Sequence, residues 1–525
     1  MSFSKTLQKQ DTRREWIRKA AAISTATALP EASAHGSAAP APIIIDPAPL
    51  FDISPHLYEQ FMEPLGVTDS SVEACWDYTS DDWREDFVDV VRDLAPGVIR
   101  FGGDFSRYYK WREGVGPVEK RPWMRNYSWG GKETNRVGTD EFVGFCRRVG
   151  AEPLYCVNFE SDGIEWFKHT PEGNRSGTAI EAADWVSYAN DPDSKERKGN
   201  GVYQPYNIKL WQIGNETSYL KNGFSKAQAI AHTIAFAKAM RQRDPSIQLI
   251  GWGDKKRGKN ELWAVDMLRD AGDYLNYVAI HMGRSPRRQD TVLSDLRYQA
   301  DPERAWHELL DLSNTIEGRI TELENAISSQ KSSAGIAVTE GHLSLKPHNM
   351  NHILFEWLSA VYHARSYNIY QRHGARVKIA AAADFNGNRW STLAVRAPAP
   401  RGKSFLMPVG SIARLFKGHN GEQGVGISSA PSSLDIAAAR TGNRLFLHVL
   451  NLEFRQSVEA SFVVHGRNIS AARIFEIAPD NLRQYVNQDQ PNVFMPIEKT
   501  VTSGEGWKWR FPAGSVTAVE LDLGV

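Results

Sequence analysis

Along most of the chain, apolar and polar positions alternate in blocks rather than residue by residue. Mainly apolar, strand-forming runs stop at glycine or a polar residue and give way to segments with a helical period. The predicted strands are 57–62, 97–101, 153–157, 208–213, 247–252, 277–280, 335–338 and 377–383. The predicted helices are 82–94, 139–149, 179–189, 225–243, 261–271, 302–328, 350–372 and 403–416. Strands without polar alternation belong in a parallel sheet covered on both faces, and eight strand–helix units close naturally into a (β/α)8, or TIM, barrel. An open, doubly wound α/β sheet is the rival, but no predicted strand runs into a G-x-G-x-x-G or P-loop turn.

Beyond about residue 418 the rhythm changes. Short strand-like runs at 433–439, 444–450, 457–464, 471–477 and 516–523 follow one another with turn signals and no helix between them. They predict a C-terminal antiparallel β-sandwich, jelly-roll-like, completed by the apolar stretch Ile43-Ile44-Ile45. The resulting division is a leader (1–34), a linker with the first sandwich strand (35–50), an α/β barrel (51–417) and the sandwich (418–525).

The leader rests on the order of its parts. Arg13-Arg14 precede a modest apolar stretch, Ala20 to Leu29, and Ala32-Ser33-Ala34 supplies a small-residue cleavage site before His35. This resembles a twin-arginine export signal and predicts a periplasmic or secreted protein; a basic amphipathic N-terminus is the plainer alternative. Three cysteines among 525 residues, Cys75, Cys146 and Cys156, are too few and too odd in number for a disulfide framework. Sixty-two basic residues balance 62 acidic ones, so no net field recruits nucleic acid or an anionic membrane, and no apolar run is long enough to span a bilayer. Sixteen Trp and 17 Tyr suit stacking on sugar faces, although core packing accounts for most aromatic residues.

In a parallel barrel all strand C-termini open on one face, where reactive groups collect. The predicted strands end, in order, at Glu63, Arg100 (followed by Gly102-Gly103-Asp104), Asn158, Asn215-Glu216, Trp252, His281, Glu340 and Asp384. A single polar strand end is usually a loop cap; eight together predict a polar pocket. Glu216 ends the longest apolar strand, where burial favours the protonated carboxyl. Glu340 would face it across the mouth, and Arg100 could keep one of the two ionised. A neutral acid beside an anionic partner is the working pair of a glycosidase, retaining if the carboxyls stand about 5 Å apart and inverting if the gap is wider.

The finer motifs resemble the family-51 α-L-arabinofuranosidases, within the clan of (β/α)8 glycoside hydrolases that carry paired glutamates on strands four and seven. The resemblance rests on Leu57-Tyr58-Glu59-Gln60-Phe61-Met62-Glu63-Pro64-Leu65-Gly66. It continues in Val98-Ile99-Arg100-Phe101-Gly102-Gly103-Asp104-Phe105 and the run Tyr109 to Pro117. Arg121-Pro122, Trp129 to Asn135 and Gly138 to Phe142 follow in the same order. It implies Glu216 as acid/base and Glu340 as nucleophile, with Glu63, Arg100 and Asn215 on the sugar hydroxyls and no cofactor or metal. Asp104, Asn158, Trp252 and His281 complete the predicted binding set. The partner is then a carbohydrate, neither nucleic acid nor membrane, with a homo-oligomer left open.

Three places depart from the family pattern. The second strand lacks a proline and has Asp104 where the family has asparagine. His281 is followed by Met282 and Gly283 rather than tyrosine, and Glu340 lies between Thr339 and Gly341 instead of Asp and Trp. The expected substrate is an α-L-arabinofuranoside; a xyloside or glucuronide is the alternative within the class, and a non-catalytic sugar-binding barrel the alternative outside it.

Further candidates carry two readings each. His348, His352 and Glu356 share a helical spacing that suits metal ligands, or simply a polar helix start in which His342 or His348 touches substrate. Asp254-Lys255-Lys256-Arg257-Gly258-Lys259 is either a solvated surface loop or a contact for an acidic sugar such as a uronate. Tyr127, Trp129, Trp166 and Trp252 divide between sugar stacking and lid packing.

Overall fold

The computed structural model describes residues 41–64, 72–347, 351–384, 395–397, 402–502, 504 and 506–524. The predicted leader, 1–34, and His348 lie outside the described residues.

Eight strands, His56–Met62, Val98–Phe101, Glu152–Val157, Leu210–Ile213, Gln248–Trp252, Tyr277–His281, Gly335–Glu340 and Val377–Asp384, form a closed barrel in chain order. Every neighbouring pair is parallel, and the ring closes where the eighth strand pairs with the first, Ile379 opposite His56 and Asp384 opposite Phe61. The strands are buried almost throughout because helices cover them, which is why the sequence shows no polar alternation there. The helices start on ordinary capping chemistry. Thr178 Oγ1 accepts from Glu181 N–H, Ser225 and Gln228 cap one another, and Asp301 accepts from Arg304 N–H ahead of Pro302.

Four predicted helices begin several residues later than their periodicity suggests: those read from 261 and 403 are Ala264–Ala271 and Pro408–Gly418, the latter after the short strand Phe405–Leu406. Asp82–Trp83 pairs with Trp76–Asp77 as a small hairpin, so the helix read from 82 is Glu85–Leu94. The segment predicted as 350–372 is two single turns, His352–Phe355 and Trp357–Ser359, before the helix Ala360–Arg372. Glu356, at the break between those turns, accepts from Tyr298 Oη at 2.5 Å and from Arg483 Nε at 3.3 Å. That carboxylate is already taken up by the protein, which removes it from any metal-ligand role.

The C-terminal region is one nine-stranded sheet that folds over a shared core, in which Leu447, Val519 and Ile474 from one arm meet Phe462 and Phe511 from the other. It is antiparallel except where Ile43–Asp52 lies parallel to Val458–Val464. Three of its strands, Gln423–Ser429, Ile497–Val501 and Lys508–Phe511, are additional to those predicted; their exposed polar and glycine positions hide the apolar signal. The sheet is fastened to the barrel by buried indoles and an ion pair. Trp306 Nε1 donates to the Leu452 carbonyl at 2.7 Å, Trp357 Nε1 to Gly514 at 2.9 Å, and Arg372 Nη1 to Asp435 Oδ1 at 3.0 Å.

All three cysteines are buried; burial pushes the Cys146 thiol well up and Cys156 up to about 11, so neither of these two is a thiolate nucleophile. Among the described residues no helix is long and apolar enough to cross a membrane.

Candidate active site

The C-terminal ends of the barrel strands open on a cleft of about 1060 Å³ whose floor includes Glu63, Asp104, Glu216, His281 and Glu340. Arg100, at the centre of the second strand, organises that floor. Its guanidinium is 1% exposed, and each nitrogen has one acceptor: Nε gives to Gln212 Oε1 at 2.8 Å, Nη1 to Glu340 Oε1 at 2.9 Å and Nη2 to Asn215 Oδ1 at 2.6 Å. A planar fork of this kind fixes the orientation of each partner as well as its charge.

His281 lies between the two strand-end glutamates. Its Nδ1 is 3.0 Å from Glu216 Oε1 and 3.5 Å from Glu340 Oε2, while Nε2 is 3.0 Å from Thr339 Oγ1. One oxygen of each glutamate and a nitrogen of His281 lie within 4.8 Å of one another. These three are the one group of donors among the described residues close enough to hold a cation. Arg100 already places a positive charge on Glu340, where a metal would otherwise supply it.

The electrostatics follow from burial. Desolvation raises the carboxyl of Glu216 above its ordinary range, against the pull of Arg107 and Arg257. Desolvation also raises Glu340 well above that range; Arg100 opposes it, while Glu216, Glu63 and Asp104 add to it. Two carboxyls this close hold a proton between them more tightly than either would alone. Hydrogen bonding decides where that proton rests. Glu340 receives a charge-assisted bond from Arg100, which favours its anion, whereas among the described residues the hydrogen-bond partner of Glu216 is the imidazole. Burial, with Arg100 adding to it, drops His281 well below its usual range, so the ring is neutral near pH 7.

The turn that presents Glu216 is strained and clamped. Gly214 has φ 82° and Glu216 has φ 55°, a left-handed conformation that costs a non-glycine residue about 1–3 kcal/mol and persists only when its surroundings enforce it. Asp162 supplies part of that enforcement: its Oδ1 accepts from Thr217 Oγ1 at 2.6 Å and from Asn215 N–H at 3.2 Å. Arg107 supplies the rest, giving Nη2 to the Asn215 carbonyl at 2.9 Å and Nε to Asp162 Oδ2 at 3.2 Å. Arg107 also pairs with Asp104, whose Oδ1 accepts from Asn215 Nδ2 at 3.3 Å. Burial opposes the charge on Arg107, but Asp104, Asp162 and Glu216 more than restore it.

Of the residues predicted from sequence, Glu63, Arg100, Asp104, Asn215, Glu216, His281 and Glu340 come together here. Glu63 accepts from Trp129 Nε1 at 2.9 Å and from Phe105 N–H at 3.3 Å, and Gly103 leaves the room that its carboxylate fills. Asn158 and Trp252 stand at their strand ends but turn into the protein. Asn158 spends its amide on the carbonyls of Tyr109 and Arg175 and on Ser161 N–H, tying loops together. Trp252 is 2% exposed, donates to Ser218 Oγ at 2.8 Å and lies edge-on beneath His281, 4.7 Å between ring centroids. It shapes the pocket through the imidazole. Met282 turns its sulfur to Arg284, and His342 approaches Glu340 Oε2 to 3.9 Å instead. Arg107 and Asp162 were missed by sequence reading, since both sit in loops without periodicity; the spacing of Asp104 and Arg107, three residues apart, was the available signal.

Comparisons with known proteins point the same way. Residues 90–297 match the model of the alpha-L-arabinofuranosidase 1 domain; this span carries Arg100, Asn215, Glu216 and His281 and stops short of Glu340. An intracellular exo-alpha-(1->5)-L-arabinofuranosidase of Acetivibrio thermocellus is 31% identical over 253 residues, 46% of this chain and 47% of that protein. A probable alpha-L-arabinofuranosidase C of Aspergillus niger is 36% identical over 212 residues, 38% of this chain and 39% of that protein. The matched region thus spans less than half the length of these relatives. In fold, the chain superposes with a TM-score of 0.76 on an alpha-L-arabinofuranosidase from Thermotoga maritima, at 22% identity over 92% of this chain and 100% of the other. A family 51 alpha-L-arabinofuranosidase from Bifidobacterium longum gives 0.77 at 19% identity, over 92% and 99%.

Proposed function

We infer that this chain, a family-51-like member of the (β/α)8 glycoside hydrolases, is a retaining exo-α-L-arabinofuranosidase. The observation that carries the reading is the closeness of the two carboxyls, within 4.8 Å oxygen to oxygen. Oxygens that close support a retaining pair, about 5–5.5 Å between carboxyls, over an inverting one, whose about 6.5–9.5 Å leaves room for water. Glu340 attacks the anomeric carbon while Glu216 passes its proton to the leaving oxygen. Glu216 then takes a proton from water, whose oxygen displaces Glu340 from the glycosyl ester. Arg100 and His281 keep the pair in register, and Asn215, Glu63 and Asp104 offer their polar atoms to the sugar hydroxyls.

The inner pocket also bears on the sugar. Glu63, Asp104 and the catalytic pair would confront an anionic ring with like charges, which favours a neutral glycone over a glucuronide. For location, the twin-arginine pattern at Arg13-Arg14 and the site ending at Ala34 support export to the periplasm or beyond.

The test is hydrolysis of a panel of nitrophenyl glycosides with the anomeric product followed by NMR. The expected outcome is turnover of the α-L-arabinofuranoside with retention, abolished in Glu340→Gln. Turnover of a pyranoside alone, or release of the inverted anomer, would overturn the assignment.

A further inference from the structure

Between the strands that carry Glu216 and Glu340 the cleft is lined by two loops, 254–260 after the fifth barrel strand and 283–288 after the sixth. Both are rich in cations, and the internal ion pairs account for only some of them. Arg319 is matched by Asp254, Lys255 by Glu322 and Arg288 by Asp290. Arg284, Arg287, Arg257 and Lys256 line the same space without an ion pair among the described residues. Arg284 is the most telling. It is half-buried, and among the described residues its guanidinium hydrogen-bonds only neutral groups: Thr315 Oγ1 at 2.9 Å, the Gly283 carbonyl at 3.0 Å and Met282 Sδ at 3.6 Å. Burial, and then Arg319, pull its pKa down, the signature of a cation lacking its counter-charge. Arg257 lies over the Tyr219 ring, 5.2 Å from its centroid, and is close enough to Glu216 to favour that carboxylate.

This distribution is lopsided. The inner end of the cleft, around Glu63 and Asp104, is acidic, and the outer end is mainly basic: its acids Asp254 and Glu308 are held by Arg319 and Arg304, which leaves Asp311 as the one acid there without an ion pair among the described residues. Glu63 and Asp104 follow strands one and two, and the basic loops follow strands five and six across the barrel. Glu216 and Glu340 end strands four and seven between them, so a sugar held by Glu63 and Asp104 directs its leaving group toward the basic end.

We propose that the 254–260 and 283–288 loops form a leaving-group subsite for a hexuronic acid, its carboxylate received by Arg284 and Arg287. The substrate is then a neutral sugar carried as a branch on an acidic oligosaccharide. Arginine suits a planar carboxylate through paired N–H donors. This deepens the glycosidase reading and rests on it for the direction of the cleft.

Calorimetric titration of the full chain with sodium digalacturonate and with its dimethyl ester tests the subsite without catalysis. The acid is expected to bind about tenfold more tightly than the ester at low salt, with the gap closing as salt screens the charges. Arg287→Gln, on an exposed and unpaired side chain, should lower the acid's affinity toward that of the ester, and Arg284→Gln should do so again. Equal affinities for acid and ester in the wild type would overturn the proposal. So would competition between digalacturonate and L-arabinose, because the carboxylate would then occupy the inner pocket. Turnover of a neutral nitrophenyl arabinofuranoside is scored separately: its failure strikes the glycosidase reading, while equal binding of acid and ester strikes the subsite alone.

Discussion

Arg100 donates from Nη1 to Glu340 Oε1 at 2.9 Å, and both side chains are almost wholly buried. Removing one partner of such a pair leaves the other charge buried and uncompensated, a loss of about 3–5 kcal/mol. Arg100→Met is expected to destabilise the fold by that order and, by removing the donor that favours the Glu340 anion, to lower kcat/KM by about 10²- to 10³-fold. The pH profile should move too. The cation favours the Glu340 carboxylate, so its loss raises that group further, and the nucleophile is active only above its pKa. The acid limb of kcat/KM should shift to higher pH; an unmoved limb would sink the link between Arg100 and Glu340.

The opposite limb belongs to Glu216, which must be protonated to act. Burial raises its pKa and Arg257 lowers it, so Arg257→Gln should raise it further. Activity is lost as pH rises through that value, and the alkaline limb should move upward with the acid limb unchanged. A profile measured on a neutral aryl arabinofuranoside checks this free of any effect on an acidic leaving group. A downward shift would contradict the placement of Arg257.

How much of this was legible beforehand follows from where each residue sits. Barrel strands are buried on both faces, so the eight apolar runs could be read directly, and Glu63, His281 and Glu340 stood out as the polar residues at which such runs stop. That reasoning fails for Asn158 and Trp252, because ending a strand fixes position but not the direction in which a side chain turns. Arg107, Asp162 and Arg284 lie in loops, where no period marks a buried charge, and only the folded chain brings them to the site.

Gly103 tests how tightly the inner pocket is built. Its φ is 153°, and a Cβ there would stand 2.1 Å from Glu63 Cδ. Gly103→Ala must displace the carboxylate from Trp129 and Phe105, at a cost of about 1–3 kcal/mol in overpacking and strain. L-Arabinose binding measured by calorimetry should weaken by about tenfold or more, with KM rising in step. Unchanged binding would mean that Glu63 does not hold the sugar.

Asp162 couples the clamp on the Glu216 turn to pH. Burial raises its pKa to about 6, with Arg107 and Thr217 pulling the other way. A folded-state value above the ordinary 3.8 means that the folded protein binds this proton more tightly than the unfolded chain does. The contribution to stability is full below the ordinary value and is lost as pH rises through about 6, a span worth about 3 kcal/mol. Asp162→Asn cannot titrate, so its unfolding free energy should lack that slope between pH 4 and 6 when compared with the wild type by chemical denaturation (roughly the window between the two pKa values). The asparagine keeps an acceptor for Asn215 and Thr217 but sets an amide against Arg107 or against those donors, loosening the turn that carries Glu216. We expect kcat to fall by about tenfold with KM little changed, because the acid/base is misplaced while Glu63 and Arg100 remain. Parallel stability curves for the two proteins would place the burial of Asp162 in error.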